Sequence, residues 1–362
     1  CAQLLSYDDY APRPAPVAPL PDVIVEAPET EAGEDAAEAG ESPARAPGRP
    51  AGDAAPAGGT TLWIAVKRMY LGSQTSLGVD SAQAWREWGL DLDRTCTSLE
   101  DSVANVGTCR RPADAVQTAL QDGARCRDNN FGQHVVPLVK IAKSDFEVVL
   151  NDAILNGESS SWLLAIDDLG SSPDDPYAPG RLYSVSPTAA RPAWDGTDVR
   201  AVRADTVIGR DLGKPTVRFE RGYVKDDVWV SGISDVALLT PLTKNATANL
   251  RLKSATFTVA LSADHKGAGR GGIAGAIPIA SVEDLVLPVA SSGGFCPGSP
   301  LYESARKNVL RMPDVVIGAP NLQDESKVCD GISIGIGVDF APVQPPTKVV
   351  DPPPFKPGPC DG

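Results

Sequence analysis

From residue 61 onward, the order of apolar and polar positions reads mostly as strand. In TLWIAVKRMYLG, residues 61–72, Leu62, Ile64, Val66, Arg68 and Tyr70 fall on one side and Trp63, Ala65, Lys67 and Met69 on the other, with Gly72 ending the run. SAQAWREWG predicts a short helix capped by Asp80 or Ser81 and stopped by Gly89, with Trp85 and Trp88 three apart on one face. The helical period is clearest over 144–157. There Ser144 reads as the cap and Glu147 completes an S-x-x-E box. Phe146, Val149, Leu150, Ala153 and Ile154 form the apolar stripe before Asn156-Gly157.

Strands are expected at 161–170, 181–186, 215–224, 227–232, 236–242, 248–261 and 275–280, separated by Asp-, Gly- and Pro-containing turns. A short helix is expected from Ser281 and Asp284 to 287. Another runs from Ser299-Pro300 to about Met312, and a small one lies in PADAVQTAL, residues 112–120. In GISIGIGVDF, Ile332, Ile334, Ile336 and Val338 alternate with Ser333, Gly335, Gly337 and Asp339. One face is wholly apolar and the other has almost no volume, so something packs close there or the backbone curves sharply. The first and last strands are both strong, which predicts that they pair. No αβ alternation supports a doubly wound sheet. The expected class is mainly β: a single β-sandwich or jelly-roll-like domain with three to four decorating short helices.

Composition divides the 362 residues into three parts. Residues 11–60 hold 14 Ala, 10 Pro and 6 Gly, with 9 acids against 3 Arg and no aromatic, so 1–60 reads as an acidic Ala/Pro-rich tether. Residues 341–362 carry 8 Pro and read as a C-terminal tail, which leaves 61–340 as the folded body. The net charge of −14 disfavours a nucleic-acid partner, and more than half of it belongs to the leader.

The seven cysteines stand at 1, 96, 109, 126, 296, 329 and 360. Setting Cys1 apart leaves six, an even number suited to three disulfides in an oxidising compartment, with fifteen pairings open. In one scheme Cys360 is tied to Cys96, Cys109 or Cys126 while Cys296 pairs with Cys329. In the other, Cys360 is free for an intermolecular bond. Cys1 followed by Ala2 and a polar, Pro-rich spacer resembles the processed terminus of bacterial lipoproteins. That resemblance implies a removed signal peptide, acyl chains such as palmitate at Cys1, and attachment to a membrane through the lipid.

Signals for catalysis are sparse. Neither His134 nor His265 has a second His or a C-x-x-C nearby. GAGRGG, residues 267–272, lacks the lysine and hydroxyl of a phosphate loop and reads as a flexible loop. Adjacent acids at Asp167-Asp168, Asp174-Asp175 and Asp226-Asp227 point apart in strands or satisfy amides in turns. The most individual stretch is DGARCRDNNFG, residues 122–132. Its Asp122, Asp128, Asn129 and Asn130 are candidate oxygen ligands for calcium, or an Asx-rich turn that orders the loop. Trp85 and Trp88 are candidate ligand-stacking aromatics, set against a core role.

TLWIAVKRMYLG, the D-N-N-F-G of 128–132, GAIPIASVEDL at 275–285 and CDGISIGIGVDF at 329–340 resemble segments of uncharacterised surface lipoproteins of myxobacteria and their relatives. The resemblance implies a lipidated, exported β-rich domain and transfers no catalytic residue. The expected function is therefore a non-catalytic outer-membrane or cell-surface protein that binds envelope carbohydrate or a surface protein. The alternatives are a structural subunit held in a larger assembly by its extended arms, and a glycan-acting hydrolase.

Overall fold

The computed structural model describes residues 42–52, 58–103, 107–113, 115, 120–241, 247–292, 294–352 and 360. Cys1, most of the leader and most of PADAVQTAL lie outside the described residues. The strand-dominated class holds. The strands β1 (Thr60–Tyr70), β2 (Ser161–Leu169), β3 (Gly180–Val185), β4 (Val202–Arg203), β5 (Val217–Phe219), β6 (Tyr223–Lys225), β7 (Val228–Val230), β8 (Ser234–Pro241), β9 (Thr247–Leu261), β10 (Ala268–Pro278), β11 (Gly331–Pro342) and β12 (Val349–Val350) enter one large sheet. Its order is β12-β4-β3-β2-β1-β11-β10-β9-β7-β6, with β5 added beside β3 and β8 beside β9. Among the described residues this sheet is not shown closed into a sandwich or jelly roll. The first and last long strands pair antiparallel as expected, from Ile64 opposite Pro342 to Tyr70 opposite Gly337.

A register shift between Val66 and Arg68 reverses the alternation of β1. Met69 therefore joins Leu62, Ile64 and Val66 in the main core, while Tyr70 turns to the opposite face. Four α-helices share that core: α2 (Val136–Ala142), α3 (Phe146–Leu155), α4 (Glu283–Ser292) and α5 (Pro300–Leu310). A fifth, α1 (Leu99–Val103), is a single turn. Leu150 and Ile154 of α3 are fully buried with Ile332, Ile334, Ile336 and Val338 in the same cluster.

Several local expectations change. Residues 84–87 form a 3₁₀ turn rather than a helix. The 215–224 segment breaks into β5 and β6 around Glu220-Arg221-Gly222. GAGRGG is no loop, since Gly271 and Gly272 pair with β9 and β11 inside β10. A side chain at 271 would collide with Thr258 and Phe340, so glycine there permits close strand packing. At α3 the N-cap is Asp145 rather than Ser144, and it makes no side-chain cap. Glu147 leaves the helix end to accept hydrogen bonds from the Ser73 amide and hydroxyl and the Gln74 amide, at 3.0, 2.7 and 3.2 Å.

The pairing of cysteines also differs from the expected scheme. The disulfides are Cys96–Cys126, Cys109–Cys329 and Cys296–Cys360. Cys329 is drawn to Cys109 by parallel backbone bonding, Arg110 N to Lys327 O and Cys329 N to Arg110 O. That leaves Cys296, in the loop between α4 and α5, for the tail. Parts of the leader and tail lie on the body. The Ala44 amide donates to Arg125 O, Tyr223 donates to Pro47 O, and β12 pairs with β4.

Candidate metal centre

Beside the Cys96–Cys126 bridge the chain brings acids together that are far apart in sequence. Residues 90–92 lie outside any helix or strand and the chain bends at 93–94, and the Asp128 amide donates to Leu90 O. The Asp128 carboxylate in turn accepts from the Leu92 amide at 2.6 Å and the Asp93 amide at 3.3 Å. Asp91, Asp93 and Asp128 are all buried, and one carboxylate oxygen of each lies within 4.8 Å of the others. Thr95 N and Thr108 Oγ1 donate to Asp93. Arg45 Nε reaches Asp91 Oδ2 at 2.6 Å, whereas Asp91 Oδ1 is buried with no partner among the described residues.

A cavity of about 30 Å³ adjoins this group, lined among others by Asp122, Asp128, Asp314, Thr108 and Arg111. It has room for one or two water molecules or a bare ion, and none for a sugar ring. Asp122 Oδ2 takes the Thr97 amide at 2.6 Å, and Asp314 takes the amide and hydroxyl of Ser333. Burial pushes the Asp122 carboxyl up to about 8, against the Thr97 hydrogen bond and with repulsion from Asp93, Asp314 and Asp91. Burial and then Asp93, Asp122 and Asp314 hold Asp128 well above the carboxylate range. Burial raises Asp314 to about 6 despite the Ser333 bonds, and it raises Asp93 too. So many carboxyls in one buried place cannot all ionise without added positive charge.

Of the four loop residues singled out from sequence, Asp122 and Asp128 stand at this centre. Asn129 does other work, and Asn130 stands at the edge of the centre with its side chain hydrogen-bonded to Asp314. β1 leaves β11 after Gly337, and the exposed edge is completed by Asn129 Oδ1, which accepts from the Gly335 amide at 2.9 Å. The Asn130 amide bonds Ser333 Oγ at 2.9 Å in the same stretch. This is loop ordering by asparagine. Asp91, Asp93 and Asp314 were not anticipated. A signal for the first two existed in L-D-L-D, because residues two apart in an extended segment point to one side. Asp314 comes from the far end of the chain and carried none.

The stacking role expected for Trp85 and Trp88 is overturned: both are buried, at 4% and 5% exposure. Trp88 stacks on Tyr70 with centroids 4.7 Å apart, and its Nε1 donates to Gln74 O. His265 is tied to Gly170 O and Asp227, and the paired acids serve local bonds such as Asp167 to Arg181 and Asp174 to Lys225. Compared with protein-family models, curated proteins and solved structures, the chain finds no match.

Proposed function

We propose that this chain is an exported, non-catalytic surface protein, lipid-anchored through Cys1 at the bacterial outer membrane or cell surface, that binds a protein partner. The observation that carries the reading is the engagement of all six cysteines other than Cys1 in three disulfides, an arrangement suited to an oxidising compartment. The likeness to exported surface lipoproteins points the same way. The acids of the one convergent group found among the described residues flank a cavity too small for a glycan, which weakens the hydrolase alternative. With Trp85 and Trp88 in the core, the carbohydrate reading loses its aromatic platform. A protein partner is favoured by Leu77 and Val79, 85% and 58% exposed in the turn between Gln74 and Asp80, and by Ile141 at 69%. Residues 42–52 and 349–350 lie on the chain's own body, which favours a self-contained binder over a subunit held by extended arms.

The test uses the full chain in a bacterial host. Mass analysis of the N-terminal peptide is expected to show acylated Cys1, and Cys1→Ser is expected to release the protein from the membrane fraction. A photo-crosslinker at position 77 should give one discrete protein adduct that Val79→Asp abolishes. An unmodified Cys1 with unchanged fractionation defeats the anchor. Selective binding on a glycan array, or hydrolysis of envelope glycan, defeats the protein-binding reading.

A further inference from the structure

Among the described residues, the Asp91, Asp93 and Asp128 carboxylates lack a neutralising partner commensurate with their number. Arg45 meets Asp91 Oδ2 from a half-exposed position, and Arg111 stands across the cavity with its Nη2 given to Ser102. Among the described residues, two guanidiniums thus face five acids, counting Asp122 and Asp314 on the cavity wall.

A second observation concerns Asp91. Its side chain is 1% exposed and belongs to the converging trio, yet its Oδ1 is buried with no hydrogen-bond donor among the described residues. An ionised carboxylate oxygen left this way costs several kcal/mol unless something satisfies it. The Thr95 amide and the Thr108 hydroxyl donate to Asp93 rather than to Asp91.

We propose that Asp91, Asp93 and Asp128 bind a divalent cation, calcium, at the junction where residues 44–45 meet the disulfide-closed 96–126 loop. The donor set is oxygen only, without His or Cys, which suits a hard ion and not zinc. One oxygen from each of three carboxylates, all within 4.8 Å of one another, can reach a single ion, and a site built from three protein carboxylates suits calcium better than magnesium, which usually keeps several waters and takes only one or two carboxylates. The small cavity supplies space for the water ligands that three carboxylates leave to be filled. Because Asp91 also holds Arg45 and its amide bonds Ala44 O, the ion would fasten the last part of the leader to the body. This inference stands apart from the identity of any partner or anchor.

Full-length protein, stripped with EGTA and dialysed against radioactive calcium, is expected to bind one ion per chain, with magnesium at tenfold excess failing to displace it. Calcium should also slow proteolysis after Arg45 and Arg49 at least about fivefold. Asp91→Asn and Asp128→Asn are each expected to weaken calcium binding at least tenfold, whereas Asp174→Asn on the surface leaves it unchanged. Wild-type protein that is folded by circular dichroism yet binds no calcium at millimolar concentration overturns the proposal, whatever the variants do. So does binding that survives in both variants.

Discussion

The Trp88 indole occupies the space that a side chain at Gly337 would need: a Cβ built there collides with the six-membered ring. Gly335, two residues earlier on the same face of β11, meets the backbone of Trp88 and Gly89 in the same manner. The small-volume face of GISIGIGVDF and Trp88-Gly89 of SAQAWREWG are thus two halves of one contact. Tyr70, opposite Gly337 in the ladder, stacks on the indole from the side.

Gly337→Ala is accordingly expected to destabilise the fold by about 1–3 kcal/mol, the usual cost of forcing extra volume into a packed interior. Trp88→Leu should cost a similar amount by leaving a cavity. The double variant should cost clearly less than the sum, because the methyl enters space the indole vacated. Urea midpoints of the four proteins measure the coupling, and strict additivity would contradict the contact.

Glu147 gives a pH signature. Burial lifts its carboxyl above the ordinary 4.5, although Ser73 and Gln74 donate to it. A folded-state value above the unfolded one means that the folded protein holds the proton more tightly. The associated stability is complete below 4.5 and is lost as pH rises through the folded value. Glu147→Gln removes this titration. The advantage of wild type over the variant should be largest near pH 4 and shrink toward pH 7, as read from denaturation midpoints at matched ionic strength. An advantage that grows with pH would reverse the assignment.

The disulfides differ in what they enclose. Cys109–Cys329 spans 220 residues and Cys96–Cys126 only 30. Chain entropy alone ranks their losses at about 5 and about 3.5 kcal/mol. Cys109→Ser with Cys329→Ser should therefore lower the unfolding midpoint more than the 96–126 pair does. Non-reducing peptide mapping should recover the 109–329 bridge in wild type.

Local pattern was legible in the sequence; what depended on distant neighbours was not. The alternation of 61–72 and of 331–340 identified both strands and their pairing, because period-two patterning is a property of the segment itself. The bulge near Arg68 was invisible, since it is set by the partner strand and reverses Met69 without changing composition. Glu147 satisfied a capping-box spacing, but the amides of the 73–74 turn outcompeted the helix end once the fold closed. GAGRGG looked like a loop because glycine signals both freedom and close approach, and only Phe340 and Thr258 decide between them. At the acid centre, sequence offered Asp122 and Asp128 through their loop. Asp314 arrives by way of β11's register with Ser333, which no local motif encodes.

Arg200 carries the remaining prediction. It is 1% exposed, and none of its three side-chain nitrogens has a hydrogen-bond partner among the described residues. Its guanidinium lies over the Trp194 ring at 5.4 Å, and burial lowers its proton affinity against the pull of Asp198. Asp198 does not bond it, since both carboxylate oxygens are taken by the Ala193 and Trp194 amides. A buried cation without donors satisfied is a net cost that the ring contact offsets only in part, at about 2 kcal/mol. Arg200→Met keeps the stem's packing against Trp194 and removes the charge. The variant should match wild type or exceed it by up to about 2 kcal/mol in calorimetric stability. A loss of more than about 1 kcal/mol would instead show that an anion or ordered water meets the guanidinium, since deleting a satisfied buried charge is destabilising.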